Sequence, residues 1–453
     1  MLFTHHRQGF RPDLRPSLCL ELGLGLALLA SSAFATNGMN MEGYGAIATG
    51  MGGASQAYDN GTAAMMNNPA TLGLMPEGHR ADLAFGFLGP TVNASYGGMT
   101  ARSKADAFSM PAFGWMRKQG DLAYGFGIYG QGGMGTEYGG DTFMSAGSGL
   151  TTRSELSVGR MIFPVAYTVS PRLSLGATLD FVWMGLDLQM AMSGAQIGSM
   201  GSLGLGSFSG SLTTALGGMG ANDVAYFDFS NDSKFTGQAR GYGLGAKLGL
   251  VYEVSPELSV GASFHSKTSV SDMTSDHAQL STISGGAVNS MSGRIRVIDF
   301  QWPETYGIGL AYRATERWLL VADYKRLQWA SVMRDFRMRF EADGGGDLNL
   351  TLNQNWKNQD VWMLGTAYQA SRQWTLRGGV NLASNPVPDH YMHPLFPAII
   401  ENHATLGAGY AIDKNSGVDF GLAHGFKVES TNASGVTVSH RQTNWQLLYS
   451  RRY

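Results

Sequence analysis

In "RGYGLGAKLGLVYEV", residues 240–254, Tyr242, Leu244, Leu248, Leu250 and Tyr252 fall on one side of an extended chain and Gly241, Gly243, Gly245, Lys247 and Gly249 on the other. The same two-residue period governs "LAYGFGIYG" at 122–130, where Leu122, Tyr124, Phe126 and Ile128 oppose Ala123, Gly125 and Gly127. Such alternation marks a β-strand with one apolar face. Beyond residue 35 no apolar run approaches the roughly 20 residues of a membrane helix, so a membrane could be crossed only by a closed barrel. Alternation alone also suits a strand that covers a soluble core.

The links between strands decide. Strands read near 80–92, 106–117, 121–131, 154–169, 172–190, 236–254, 257–271, 293–313, 317–340, 348–370, 373–383, 401–413, 416–429 and 437–453, fourteen in all. "RKQG", "VSPRL", "VSPEL", "RATER", "ASRQ" and "DKNSG" are tight turns, and every other link is longer, up to the run 191–235. Short turns at one end and long loops at the other are the pattern of an outer-membrane barrel. The predicted fold is therefore all-β, a 14-stranded antiparallel transmembrane β-barrel over residues 79–453. The near-repeat "SPRLSLGA" and "SPELSVGA" reads as a Ser-Pro turn with an alternating strand after it each time.

Residues 1–35 read as a signal peptide: Arg7, Arg11 and Arg15, a short apolar core from Leu22 to Ala30, and the small-x-small pattern Ala33-Phe34-Ala35. The single cysteine, Cys19, lies inside it, so the mature chain has neither disulfides nor thiol chemistry. Without this leader the formal charge moves from −2 to −3, which argues against nucleic acid as a partner. Gly supplies 63 of 453 residues and charged residues only 15%, a balance suited to a chain with little water-facing surface. The last strand ends "TNWQLLYSRRY", with Trp445, Leu447, Tyr449 and Tyr453 on one parity. An aromatic terminal residue on the lipid face is what barrel-assembly machinery is expected to engage, and the expected address is the outer membrane of a Gram-negative cell.

Residues 36–78 lack alternation yet carry Met39, Met41, Tyr44, Ile47, Met51, Met65, Met66 and Leu72, too many apolar groups for a disordered tail. A wide barrel needs a filling or is a porin, so this stretch is expected to fold inside the lumen as an N-terminal plug. Within it Asn67, Asn68, Pro69 and Ala70 form a tight turn, Pro69 fixing φ and an asparagine capping the helix or turn that begins there. The third strand dissolves after Ile128 into Gly130, Gly132, Gly133 and Gly135, which reads either as a bulge bending the strand inward or as the start of a flexible loop.

With these segments in view, the chain resembles the FadL-type outer-membrane transporters of long-chain fatty acids and aromatic hydrocarbons. The resemblance rests on Gly50 to Ala54 and "NNPATLG", "GIYGQGGMGTEYGG" at 127–140, "RMIFPVAYTVSPRLSLGATLDFVW" at 160–183, "WPETYGIGLAY" at 302–312 and "WTLRGGVNLASNPVPDH" at 374–390, in that order. It implies that the third-strand kink is a lateral opening through which a hydrophobic small molecule passes into outer-membrane lipid. It also implies that the loop 191–235, with Met200, Leu203 and Phe208 among its apolar residues, forms short helices around an outer capture groove; self-packing of the loop is the alternative. By the same resemblance Lys357, of inward parity opposite Trp362, Leu364 and Tyr368, matches a lysine of the fatty-acid branch. Against this, that branch's arginine is absent from Asp187-Leu188-Gln189-Met190.

No catalytic constellation emerges: His265 and His424 stand in strands without a triad partner at any telling spacing. His390 and His393 lack the acidic or cysteine surroundings of a metal site. The reading is a passive, monomeric uptake channel without cofactor, for long-chain fatty acids ahead of aromatic hydrocarbons, in contact with outer-membrane lipid and lipopolysaccharide. A general diffusion porin and a structural or adhesive surface barrel are its rivals.

Overall fold

The computed structural model of the protein describes residues 37–233 and 236–453; the expected leader lies outside them. Antiparallel strands form the closed wall. They are β1 (Gly78–Tyr96), β2 (Phe108–Gln119), β3 (Leu122–Tyr138), β4 (Thr152–Ser170), β5 (Leu173–Ser193), β6 (Ala239–Glu253), β7 (Leu258–His265), β8 (Thr305–Thr315), β9 (Trp318–Leu327), β10 (Gln359–Gln369), β11 (Trp374–Ala383), β12 (Asn402–Ala411), β13 (Ser416–Thr431) and β14 (Thr437–Arg452). Each pairs antiparallel with the next. β14 returns to β1 from Arg80↔Arg452 to Ser95↔Thr437, which closes the barrel and leaves no free edge there.

Three expected strands, 293–313, 317–340 and 348–370, each prove to be two. Residues 287–298, 335–342 and 347–353 belong to a second tier of short strands, joined by 206–209, 224–229 and 273–284 at the end away from Tyr453. The breaks fall where the backbone cannot continue a ladder: Asp299 (φ 51) and Pro303, the 3-10 turn Trp329–Ser331, and Asn355 (φ 44). Alternation resumes on both sides of each break, so the period does not mark where a strand leaves the wall.

The two faces of the wall differ as the alternation requires. Outward, Tyr242, Leu244, Leu248, Ile308, Trp362 and Leu406 are more than half exposed, an apolar belt that lipid would cover. Inward stand glycines, and against them runs the chain from Asn37 to Met75, with the helix α1 (Ala46–Thr49) and 3-10 turns Gly61–Met65 and Pro69–Leu74. The approach is too close for a side chain. A Cβ on Gly249 would lie 2.0 Å from Asn68 Oδ1, on Gly261 1.9 Å from the Gln56 carbonyl oxygen, on Gly365 2.4 Å from that of Met51, and on Gly421 2.5 Å from that of Ala46. The "SPxLSxGA" pair carries this requirement too, because Gly176 meets the Ala70 backbone at 2.4 Å as Gly261 meets Gln56. We expect Gly261→Ala to cost about 1–3 kcal/mol of seating energy by overpacking and to expose the N-terminal segment to protease while the barrel stays heat-modifiable. Unchanged protease protection would show that the glycine face is not what holds the segment.

Candidate functional site

β3 is paired with β2 only from Gln119↔Leu122 to Phe113↔Ile128, although β2 continues beside β1 to Phe108↔Leu88. Residues 110–112 therefore have no strand partner on the β3 side. Pro111, with no N–H to offer a ladder, stands on that edge. β3 meanwhile stays with β4 as far as Tyr138↔Thr152, with a bulge at Gln131 between Gly130 and Gly132. An extra residue on one strand bends it, and here the bend carries β3 into the lumen. Its freed edge pairs instead with the start of the described chain: Asn40 bridges Gly132 and the Gly133 N–H donates to the Met39 carbonyl at 3.2 Å. Only glycine fits at 132, where a Cβ would sit 2.0 Å from that carbonyl oxygen. Gly130, Gly132, Gly133 and Gly135 are thus all strand residues and do not start a loop.

The seam so formed is lined by Met110, Pro111 and Ala112 of β2, Tyr129 and Gly130 of β3, and Met41, Tyr44, Thr62 and Ala63 from the N-terminal segment. Its free volume of about 30 Å³ is room for a water or two, too small for an aromatic ring. In this conformation the seam is shut by side chains and by the segment behind it.

Polar networks fix β3 and the N-terminal segment behind it. The Gln131 carbonyl accepts from Tyr44 Oη at 2.6 Å, and its side-chain oxygen accepts from Arg160 Nε. Arg160 pairs with Asp180 at 2.7 Å, and Asp180 also holds Lys247. Tyr129 Oη donates to Thr62 Oγ1 at 2.9 Å. The Thr62 N–H and hydroxyl in turn donate to Asp82 at 2.8 and 3.0 Å, and Asp82 pairs with Arg80 at 2.9 Å. Buried charges of this kind persist because each is paired; removing one partner strands the other at a cost of about 3–5 kcal/mol.

The asparagine-proline turn staples the segment. Asn68 Oδ1 accepts from the Ala70 N–H at 3.1 Å, capping the 3-10 turn that Pro69 opens, and Asn68 Nδ2 donates to the carbonyls of Gln56 at 2.7 Å and Leu250 at 3.1 Å. Asn67 Nδ2 donates to the Tyr44 carbonyl at 2.9 Å, and its own carbonyl contacts His265 Nε2 at 2.7 Å. Ahead of it, Asn40 Oδ1 accepts from Trp302 Nε1 at 2.8 Å. Trp302, Trp329 and Trp356 stack edge to face at 5.4 and 5.3 Å between centroids, a wall for the chain's first described turn.

Lys357 is not where its parity pointed. It lies between the second-tier strand 347–353 and β10, after the positive φ of Asn355 has broken the count, and its side chain is exposed. The inward cation of this region is Lys325, on the lumen face of β9 beside Asp323, half-buried and without a carboxylate in ion-pair range among the described residues. Its signal was present in the sequence: Lys325 shares the parity of buried Asp323 and opposes exposed Leu320. In the loop after β5, Met200 is buried while Leu203 and Phe208 are half-buried. Helices at Gly194–Met200 and Thr213–Gly217 are present, but Phe208 stacks on Phe227 at 6.4 Å and Leu350↔Phe208 pairs the loop to the second tier. Phe208 thus packs on the second tier.

Residues 386–401, read from sequence only as a loop, form a strap across the lumen. The Pro394 and Leu395 carbonyls accept from Thr136 and Tyr138 of β3, and Leu395 also from Ser154 of β4. The Pro397 carbonyl is held by His440 Nδ1 of β14 at 2.9 Å. His390 contacts the Leu203 carbonyl and His393 accepts from the Leu395 N–H. No group of three or more His, Cys, Asp or Glu among the described residues could hold a metal ion.

A closed antiparallel barrel with an apolar outer belt has the form of an outer-membrane β-barrel. The chain belongs to the family described as "Outer membrane protein transport protein (OMPP1/FadL/TodX)", which it matches over residues 26–448, a family of transport channels and not of enzymes. It is similar to the solved P. putida toluene transporter TodX, with 32% identity, a TM-score of 0.84 and coverage of 91% of this chain and 99% of that one. It is similar also to the Ralstonia pickettii toluene transporter TbuX, with 32% identity, a TM-score of 0.77 and coverage of 91% and 99%. Over 428 residues it is 21% identical to the long-chain fatty acid transport protein of Salmonella typhi, covering 89% of this chain and 90% of that protein.

Proposed function

We propose that the protein is a passive channel of fourteen membrane-crossing strands that takes up hydrophobic compounds and releases them sideways into the bilayer, with the N-terminal segment as its plug. The observation that carries this reading is the seam, where β2 has a bare edge and β3 has turned inward to pair with Asn40. An apolar solute gains by entering hydrocarbon and loses by entering the aqueous periplasm, so an opening in the wall serves it better than one in the floor. Shifting the plug would free the β3 side of the seam, because Tyr44 holds Gln131 and Thr62 holds Tyr129. One chain completes the ring, which suits a monomer, and the outward-facing Leu447, Tyr449 and Tyr453 suit recognition by the barrel-assembly machinery.

For cargo we infer monoaromatic hydrocarbons, on the 32% identity to toluene transporters along almost the whole chain. Lys325 favours a second reading, long-chain fatty acids, because a carboxylate in a poorly hydrated lumen needs a cation. Uptake of labelled toluene and of labelled oleate by cells carrying wild-type protein or Lys325→Met separates the two. If the hydrocarbon reading holds, toluene enters equally with either protein and oleate enters with neither. If the fatty-acid reading holds, oleate uptake is strong in the wild type and falls about tenfold or more in the variant.

A further inference from the structure

The end of the barrel that carries the short turns and Tyr453 holds a cavity of about 300 Å³ between the β10–β11 turn, the β12–β13 turn and the last residues of β14, lined also by Ile47 and Asp59 of the N-terminal segment. Its charges are unbalanced: five cations face three carboxylates, a surplus of two. The neighbouring cavity of about 370 Å³, which shares Asp59, has three of each. The surplus is therefore not a property of this end of the barrel as a whole.

The three carboxylates are already taken. Asp59 pairs with Arg80 at 3.6 Å, Asp419 with Arg377 at 2.8 Å and Asp413 with Arg451 at 3.5 Å. Arg372, Lys414 and Arg452 line the cavity without a carboxylate in ion-pair range among the described residues, and all three are exposed, open to an anion from solvent. Arg452 also stands directly opposite Arg80 in the register that closes the barrel. Residues so placed share a face, with Cβ atoms about 5 Å apart, and like charges there repel. Asp82 and Asp59 relieve Arg80; no carboxylate among the described residues does the same for Arg452.

An anion among these groups would meet the surplus. Guanidinium forks bind phosphate oxygens in pairs, and a phosphate monoester carries about −1.5 to −2 at neutral pH, the charge this lining lacks; a diester carries less. The volume lies at the small end of the range for small-molecule sites, which suits a phosphate with a short substituent.

We propose that Arg372, Lys414 and Arg452, with Arg80 and Arg377 behind them, bind a dianionic phosphate group at this mouth of the barrel, as inorganic phosphate or a small monoester. Asp59 is the carboxylate that the N-terminal segment brings to the cavity. A bound phosphate repels it, so phosphate occupancy and seating of the segment oppose each other. The site depends neither on the cargo nor on where the cargo leaves. The probe is radiolabelled inorganic phosphate, measured by equilibrium dialysis against purified full-length protein in a maltoside detergent at constant ionic strength, which keeps screening the same throughout. Wild-type protein should bind it; Arg452→Gln and Arg372→Gln should each weaken binding about tenfold, and Asp59→Asn should tighten it. Both arginines are exposed, where substitution is tolerated, heat-modifiability confirms each barrel, and the gain expected of Asp59→Asn cannot come from a damaged one. Glycerol 3-phosphate should displace the label, and dihexanoyl phosphatidylglycerol, a diester, should do so less well. Phosphate that fails to bind wild-type protein, or binds all four proteins alike, overturns the site. Better displacement by the diester overturns the dianion and makes a lipid headgroup the ligand.

Discussion

Bridging β2 to β3 across the seam reduces cargo uptake to background, and cleaving the bridge restores it. Met110 and Gly130 are the positions to join, because the Met110 Cε already reaches to 2.6 Å of where a Gly130 Cβ would be. The backbones are thus a methionine's length apart, farther than a direct disulfide spans, so the pair Met110→Cys and Gly130→Cys needs a short bifunctional thiosulfonate, which reductant removes. Outside the leader the chain has no cysteine of its own, so the reagent finds only the engineered pair. Each single-cysteine variant capped with the monofunctional reagent serves as control for bulk. Uptake that continues with the bridge intact, in a barrel shown by heat-modifiability to be folded, means the cargo leaves through the floor, and lateral release is wrong.

Removing residues 37–70 has an equally large effect of opposite sign: the barrel becomes leaky. The wall should still form, since its pairings from β1 round to β14 involve no residue of the deleted stretch, and the charged groups left behind, Asp82, Arg80 and Asp323, become hydrated instead of stranded. What is lost is the backbone packed against Gly249, Gly261, Gly365 and Gly421 and the partner of the β3 edge at Gly132. In planar bilayers the intact protein should show little ionic conductance and the deletion a steady open pore. Equal conductance of the two would mean that the strap 386–401, not the N-terminal segment, is the barrier.

The sequence made the wall legible where a strand stays in it. β6 and β14 end within a few residues of the limits that alternation suggests, because each buries one face and exposes the other along its whole length. It failed where burial continued past the wall: from 287 to 315 the period persists through Asp299 to Glu304, and only the backbone at Asp299 and Pro303 marks the departure. Lys357 was misplaced for the same reason, since a parity count carried across Asn355 does not survive a left-handed residue. The strap was illegible for another reason. Its bonds go to Thr136, Tyr138, Ser154 and His440, far away in the chain, and no local pattern records a partner at that distance. The glycines were visible as a small face, but a small face does not say what lies against it.

That face has a consequence for anyone who would change what the channel carries. In most binding proteins a pocket is enlarged by trimming the side chains that line it. Here much of the wall opposite the N-terminal segment is already bare backbone at Gly176, Gly249, Gly261, Gly365, Gly379 and Gly421, so mutation there can only subtract space. Room for a bulkier molecule must be carved from the other partner, at Met41, Tyr44, Met51, Met65 or Met66, which makes the chain's first forty described residues the part in which cargo range can be rewritten.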